Sequence, residues 1–142
     1  MSIDFGARIP FVRELGFRLE KFEGGHSELR FAPRPEHCNS FGVTHGGVVM
    51  ALLDVAMAAA ARSARADSGV VTIEMKTSFM RPAPATLLTG RGRLLHHTRG
   101  MAFAEGALFD AEGHLCAQAS GTFKYVPRAK PTGQGLGELP TD

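Results

Sequence analysis

The sequence has little of what marks several large functional classes. Cys38 and Cys116 are its only two cysteines in 142 residues. They lack the C-x-x-C spacing of redox and zinc sites and fall far below the density of a disulfide scaffold. Both read as reduced thiols of a cytoplasmic protein. An excess of one charge is missing as well. Sixteen basic side chains stand against fourteen acidic ones, a formal net charge of +2, too slight for an electrostatic footprint on nucleic acid.

Long hydrophobic runs are also scarce. The N-terminal "MSIDFGARIPFVREL" carries charges of both signs early and no apolar core, so it does not read as a signal peptide. The most apolar window, Gly46 to Ala61, is shorter than the roughly 20 residues of a membrane span. It reads as a buried helix, and no membrane partner is expected. "GRGR" at 90–93 does not satisfy the dinucleotide fingerprint, and no P-loop or G-x-S-x-G elbow occurs. His26, His37, His96, His97 and His114 show no metal-ligand spacing. The expectation is therefore no metal and no cofactor.

What is present suits one compact domain. Hydrophobic residues make up 44% and charged residues 21%, close to ordinary globular proteins, and the length allows a single core. Pro10 suits a first helical turn, and "PFVREL" before Gly16 predicts a short helix with a glycine C-cap. "FRLEKFE", "GG" and "HSELRFAP" predict a β-hairpin. Thr44 is the expected N-cap of a long helix running to about Arg65.

In "VVTIEMKTSFMRP", strict alternation places Ile73, Met75, Thr77 and Phe79 on one face and Thr72, Glu74, Lys76 and Ser78 on the other. "TLLTGRGRLLHHT" and "MAFAEGALFD" predict strands around Arg99 and Gly100, and "DAEG" turns the chain into "HLCAQASGTFKYV". The expected total is a short helix, a hairpin, one long apolar helix and three long antiparallel strands. That is an α+β class, with a sheet curled around a central helix.

The stretch "NSFGVTHGGVVMALLDVAMAAAA" (39–61) holds the residues that need explaining. Gly46 and Gly47 fall in the first turn of the long helix, where backbone N–H groups lack intrahelical partners and the dipole is positive. Either they relieve crowding against the sheet or they admit a ligand to those donors, as an oxyanion hole requires. Asp54 lies in the middle of an apolar helix, where a carboxylate is costly unless paired. Either it meets water or an arginine, or it is a general base or nucleophile set against the oxyanion donor. Gly46 and Asp54 are roughly 12 Å apart along one helix, at about 1.5 Å per residue. If they act on one carbonyl, the aspartate must come from a second copy whose helix packs antiparallel in a symmetric dimer.

At these residues the sequence resembles the hotdog-fold acyl-CoA thioesterases, most closely the phenylacetate-pathway (PaaI-like) branch. Asn39, Gly42 and "HGGVVMALLD" carry the resemblance, with His45 six residues after Asn39 and Asp54 nine after His45. It implies one hotdog domain over 1–127; the polar Gly/Pro composition of 128–142 predicts a flexible tail. The resemblance also implies that Gly46 donates the oxyanion-hole N–H, that His45 orients the loop or polarises the thioester, and that Asn39 places the water or the carbonyl. Asp54 of a neighbouring subunit would be base or nucleophile, and Thr72 would assist the water. Coenzyme A would be part of the substrate, and the partner would be a second copy in a homodimer, with pairing of dimers into a homotetramer left open. Gly47, Arg81, Arg99 and Gly100 are the implied substrate contacts, with Arg91, Arg93, Lys124 and Arg128 as further phosphate candidates. Phe11, Phe41, Met50, Met57, Phe79 and Met80 are the residues available for an acyl tunnel. A non-catalytic acyl-CoA sensor and a hotdog hydratase or dehydratase are the alternative functions.

Overall fold

In the computed structural model, which describes Phe5 and residues 8–128, two helices and six strands make one layered unit. Helix α1 (Pro10–Leu15) starts at Pro10 and ends at Gly16, whose φ of 82° lets its N–H close onto the Val12 carbonyl. Strands β1 (Arg18–Glu23) and β2 (His26–Phe31) form the expected hairpin around Gly24 and Gly25. Helix α2 (Gly46–Ser63) follows a short 3-10 turn at Pro35–His37. The chain then continues through β3 (Ser68–Phe79), β4 (Leu88–His97), β5 (Met101–Phe109) and β6 (Leu115–Pro127). Four long strands follow α2, one more than the three expected. All six strands join one antiparallel sheet in the order β1-β2-β4-β5-β6-β3.

The sheet takes α2 against one face. Leu52, Leu53, Ala56 and Met57 of the helix are fully buried there with Leu29, Phe31, Leu88, Leu108 and Phe123 of the strands. The contact is unusually close because both sides lack bulk. A Cβ on Gly92 of β4 would stand 2.1 Å from the Ala56 carbonyl oxygen. The Ser27 hydroxyl of β2 donates to that same oxygen at 2.6 Å. By length and composition alone α2 would suffice to cross a membrane; here its leucines are packed against the strands.

Two local expectations need correction. Thr44 is not the N-cap of α2. Its hydroxyl donates to the Pro84 carbonyl, and His45 caps the helix instead. The helix ends at Ser63 rather than near Arg65.

The strict alternation expected along β3 also fails, at a β-bulge. Thr72 pairs with Phe123 and Glu74 with Thr122, so Ile73 is the extra residue and the strand changes face there. Before the bulge Thr72 faces α2; after it Met75, Thr77 and Phe79 do, and Glu74, Lys76 and Ser78 face away. Of the proposed C-terminal tail, Arg128 is exposed and residues 129–142 lie outside the described residues.

The Gly92 contact generates a prediction. Gly92→Ala forces a methyl group into a main-chain carbonyl that cannot swing away, and should cost at least about 3 kcal/mol, the upper range of overpacking. Urea unfolding measures it. A cost below ~1 kcal/mol would mean that α2 can lift off β4 freely.

Candidate active site

The loop that enters α2 is held by its own backbone and by two side chains. Asn39 Oδ1 accepts from the N–H groups of Phe41 (2.9 Å) and Val43 (3.3 Å), and the Asn39 N–H donates to the Val43 carbonyl. Its carbonyl oxygen is thus committed to the turn, and only the amide NH₂ remains to meet a ligand. The His45 N–H donates to the His37 carbonyl and the Thr44 N–H to the Ala83 carbonyl, which anchors the loop on both sides.

His45 Nδ1 accepts the Gly47 N–H at 2.8 Å. In the neutral ring the proton then sits on Nε2, so the exposed imidazole presents a donor. The same bond occupies Gly47: its N–H is not offered to a substrate, and a Cβ there would press on the imidazole at 3.1 Å. Gly47 is small for the sake of His45. Among the described residues the Gly46 N–H has no acceptor, as expected of the first helical position. The ring of Phe79 closes the floor beside it, 3.5 Å from where a Gly46 Cβ would be.

Asp54 lies two turns further along, on the side of α2 that the sheet leaves open. Gly47 and Met50 are exposed and Ala51, Asp54 and Ala58 half-buried, a stripe at helical spacing. The Thr72 hydroxyl donates to Asp54 Oδ1 at 2.6 Å. Burial raises the Asp54 carboxyl above the ordinary aspartate value, and the Thr72 bond pulls it part of the way back. A carboxyl with a raised pKa, held by one hydroxyl at the edge of an apolar helix, is suited to taking and returning a proton.

The remaining predicted contacts scatter. Arg81 follows Phe79 near the Gly46 end of α2, with its N–H on the Cys116 carbonyl. Arg99 lies at the other end, where Arg65 donates to its carbonyl; the Gly100 carbonyl accepts the Tyr125 N–H. With 18 residues in α2, those ends are about 27 Å apart. Arg91 and Arg93 are on the opposite sheet face, beside a cavity of about 450 Å³, and are paired with Glu28 and Glu105. That cavity is separated from Asp54 by the sheet. Met57 is core, whereas Phe11, Phe41, Met50, Phe79 and Met80 are exposed. Among the described residues no three His, Cys, Asp or Glu side chains form a metal-binding group.

Comparison with known proteins gives this arrangement its class. Residues 41–117, which span the loop, α2 and the strands as far as β6, match the model of the thioesterase superfamily. The chain belongs to that superfamily; it is a thioester hydrolase of hotdog fold. The medium/long-chain acyl-CoA thioesterase YigI of Escherichia coli K12 is 27% identical over 135 residues, covering 84% of this chain and 87% of YigI. A phenylacetic acid degradation-related protein of Ralstonia eutropha JMP134 is 29% identical with a TM-score of 0.76, over 83% and 92% of the two chains. The PaaI protein of the E. coli phenylacetic acid degradation operon shares the fold at 19% identity, with a TM-score of 0.78 over 84% and 86%.

The Thr72 bond can be tested without reference to turnover. Thr72→Val removes the donor that stabilises the carboxylate, so the Asp54 pKa should rise further. Carboxyl carbon NMR titration reads the shift, and an unchanged or lowered value would mean that Thr72 does not hold Asp54 in solution.

Proposed function

We propose that the chain hydrolyses an aryl- or medium-chain acyl-CoA thioester to the free acid and coenzyme A, in a homodimer whose subunits each complete the other's active site. The observation that carries this reading is Asp54: a carboxyl of raised pKa, held by Thr72 on the open stripe of α2. It lies too far along its own helix from the free Gly46 N–H to share a carbonyl with it. The name of YigI supports the acyl-CoA class.

Two surfaces support the dimer. The open stripe of α2 is apolar apart from Asp54, and β3 forms one end of the sheet, its outer edge of 12 residues having no strand partner among the described residues. An edge of that length invites pairing with another strand. Within the chain β3 runs antiparallel to α2, since Phe79 lies beside Gly46 and Thr72 beside Asp54. Antiparallel pairing of two β3 strands therefore sets two α2 helices antiparallel, which brings Asp54 of one copy towards Gly46 of the other.

In this site the Gly46 N–H, with His45 beside it, receives the thioester oxygen, and Asp54 of the facing subunit acts on the carbonyl carbon. As general base, Asp54 takes a proton from water as the oxygen bonds to carbon. The C–S bond then breaks, and the proton passes to the coenzyme A thiolate. As nucleophile, Asp54 bonds to carbon itself, expels the thiolate and is released by water. Label from ¹⁸O-water found in Asp54 after one turnover marks the second route. Thr72 holds the carboxylate in either, and Asn39 contributes its amide NH₂. Arg81 beside Gly46, and Arg99 with Gly100 in the Asp54 subunit, are the phosphate contacts. Neither route requires a metal or redox cofactor.

Thiol release from a panel of aryl and straight-chain acyl-CoA esters is the direct test. Asp54→Asn should lower the rate at least about a hundredfold, the scale of a lost general base. Tight acyl-CoA binding without turnover in the wild type would replace this reading with that of a sensor.

A further inference from the structure

The two glycines that open α2 to a ligand also weaken it. Glycine is the least favourable helix residue after proline, and Gly46 and Gly47 stand together in the first turn, ahead of Val49, the first buried residue of α2. A turn of that composition frays unless something outside the helix holds it.

Three contacts hold it. His45 Nδ1 accepts the Gly47 N–H, but that bond is exposed, and water competes for both partners. The His45 N–H donates to the His37 carbonyl at 2.8 Å. Thr44 supplies the third contact, and it is only 4% exposed, so water does not compete there. Its N–H donates to the Ala83 carbonyl at 2.9 Å and its hydroxyl to the Pro84 carbonyl at 3.1 Å. One residue thus takes two consecutive carbonyls, which fixes orientation as well as distance.

The segment that receives Thr44 is itself fixed. The N–H groups of Met80 and Arg81 both donate to the Cys116 carbonyl of β6, and Pro82 and Pro84 stiffen the chain that follows. Phe79, just before this segment, lies beside Gly46. Because His45 caps α2, no capping role competes for the Thr44 hydroxyl.

We propose that Thr44 is a positioning residue: by binding Ala83 and Pro84 it holds the first turn of α2 closed and keeps the Gly46 N–H aimed at the thioester oxygen. This rests on the reading of Gly46 as oxyanion donor. Such a donor is effective only when its direction is set before charge develops. The Thr44 hydroxyl is spent on Pro84, so its loss should appear in kcat rather than in KM.

Thr44→Val keeps the shape of the side chain and removes the donor, with Thr44→Ala in its place if the valine variant does not fold. Thr44→Ser keeps the donor. In Thr44→Val the amides of Val48 and Val49, which bond to the His45 carbonyl, should exchange hydrogen faster while the sheet amides stay protected. The kcat of thiol release from acyl-CoA should fall about ten- to a hundredfold with KM little changed, the scale of a misplaced donor. Thr44→Ser should restore both. Gly46→Pro is the control, because proline fits a first helical position but has no N–H. Wild-type turnover in Gly46→Pro would overturn the oxyanion reading and the role of Thr44 with it. A slow Gly46→Pro beside a Thr44→Val that keeps its kcat, changes KM instead, or leaves exchange at Val48 and Val49 unmoved would overturn the positioning role alone.

Discussion

The approach of the α2 backbone to the sheet governs the rest of the molecule. At Gly92 the strand comes so near the Ala56 carbonyl that no side chain fits between them, and the Ser27 hydroxyl ties that carbonyl to β2. Such a contact is possible only if the facing helix surface is made of small residues and the strand has none there. It holds α2 at one rotation about its axis. With Ala56, Leu52 and Leu53 turned into the sheet, Gly47, Met50 and Asp54 are turned to the open side. The direction of the acid is a consequence of packing two residues away from it.

Electrostatics then acts on what packing has placed. Asp54 is buried enough for its ionised form to be disfavoured, and the Thr72 hydroxyl compensates in part. At the start of the same helix the imidazole of His45 takes the Gly47 N–H, while the Gly46 N–H has no acceptor among the described residues. One helix thus carries a carboxyl ready to exchange a proton and an unoccupied donor, separated by two turns. The separation makes a second subunit part of the proposed chemistry rather than an accessory to stability.

Much of this was legible in the residue order. Pro10 and Gly16 bound α1, the paired glycines mark the first hairpin, and the apolar stretch from Gly46 forms a helix. Asp54 stood out because a carboxylate is costly in an apolar helix. Less legible was which of two neighbours does what. Thr44 has the better intrinsic capping side chain, yet Pro84 takes its hydroxyl and His45 caps. Gly47 looked like a ligand contact, yet its N–H serves the histidine beside it.

The sequence by itself determined the element types and the central helix, and it singled out Asp54, because periodicity, turn residues and isolated polar groups are local signals. Tertiary structure alone decided the orientation of Thr72. Period-two alternation assigns it to the outer face with Glu74 and Lys76, and only the bulge at Ile73, opposite β6, turns it inward to Asp54. Such a bulge is a property of two strands in register, and a strand read alone carries no sign of the partner that produces it.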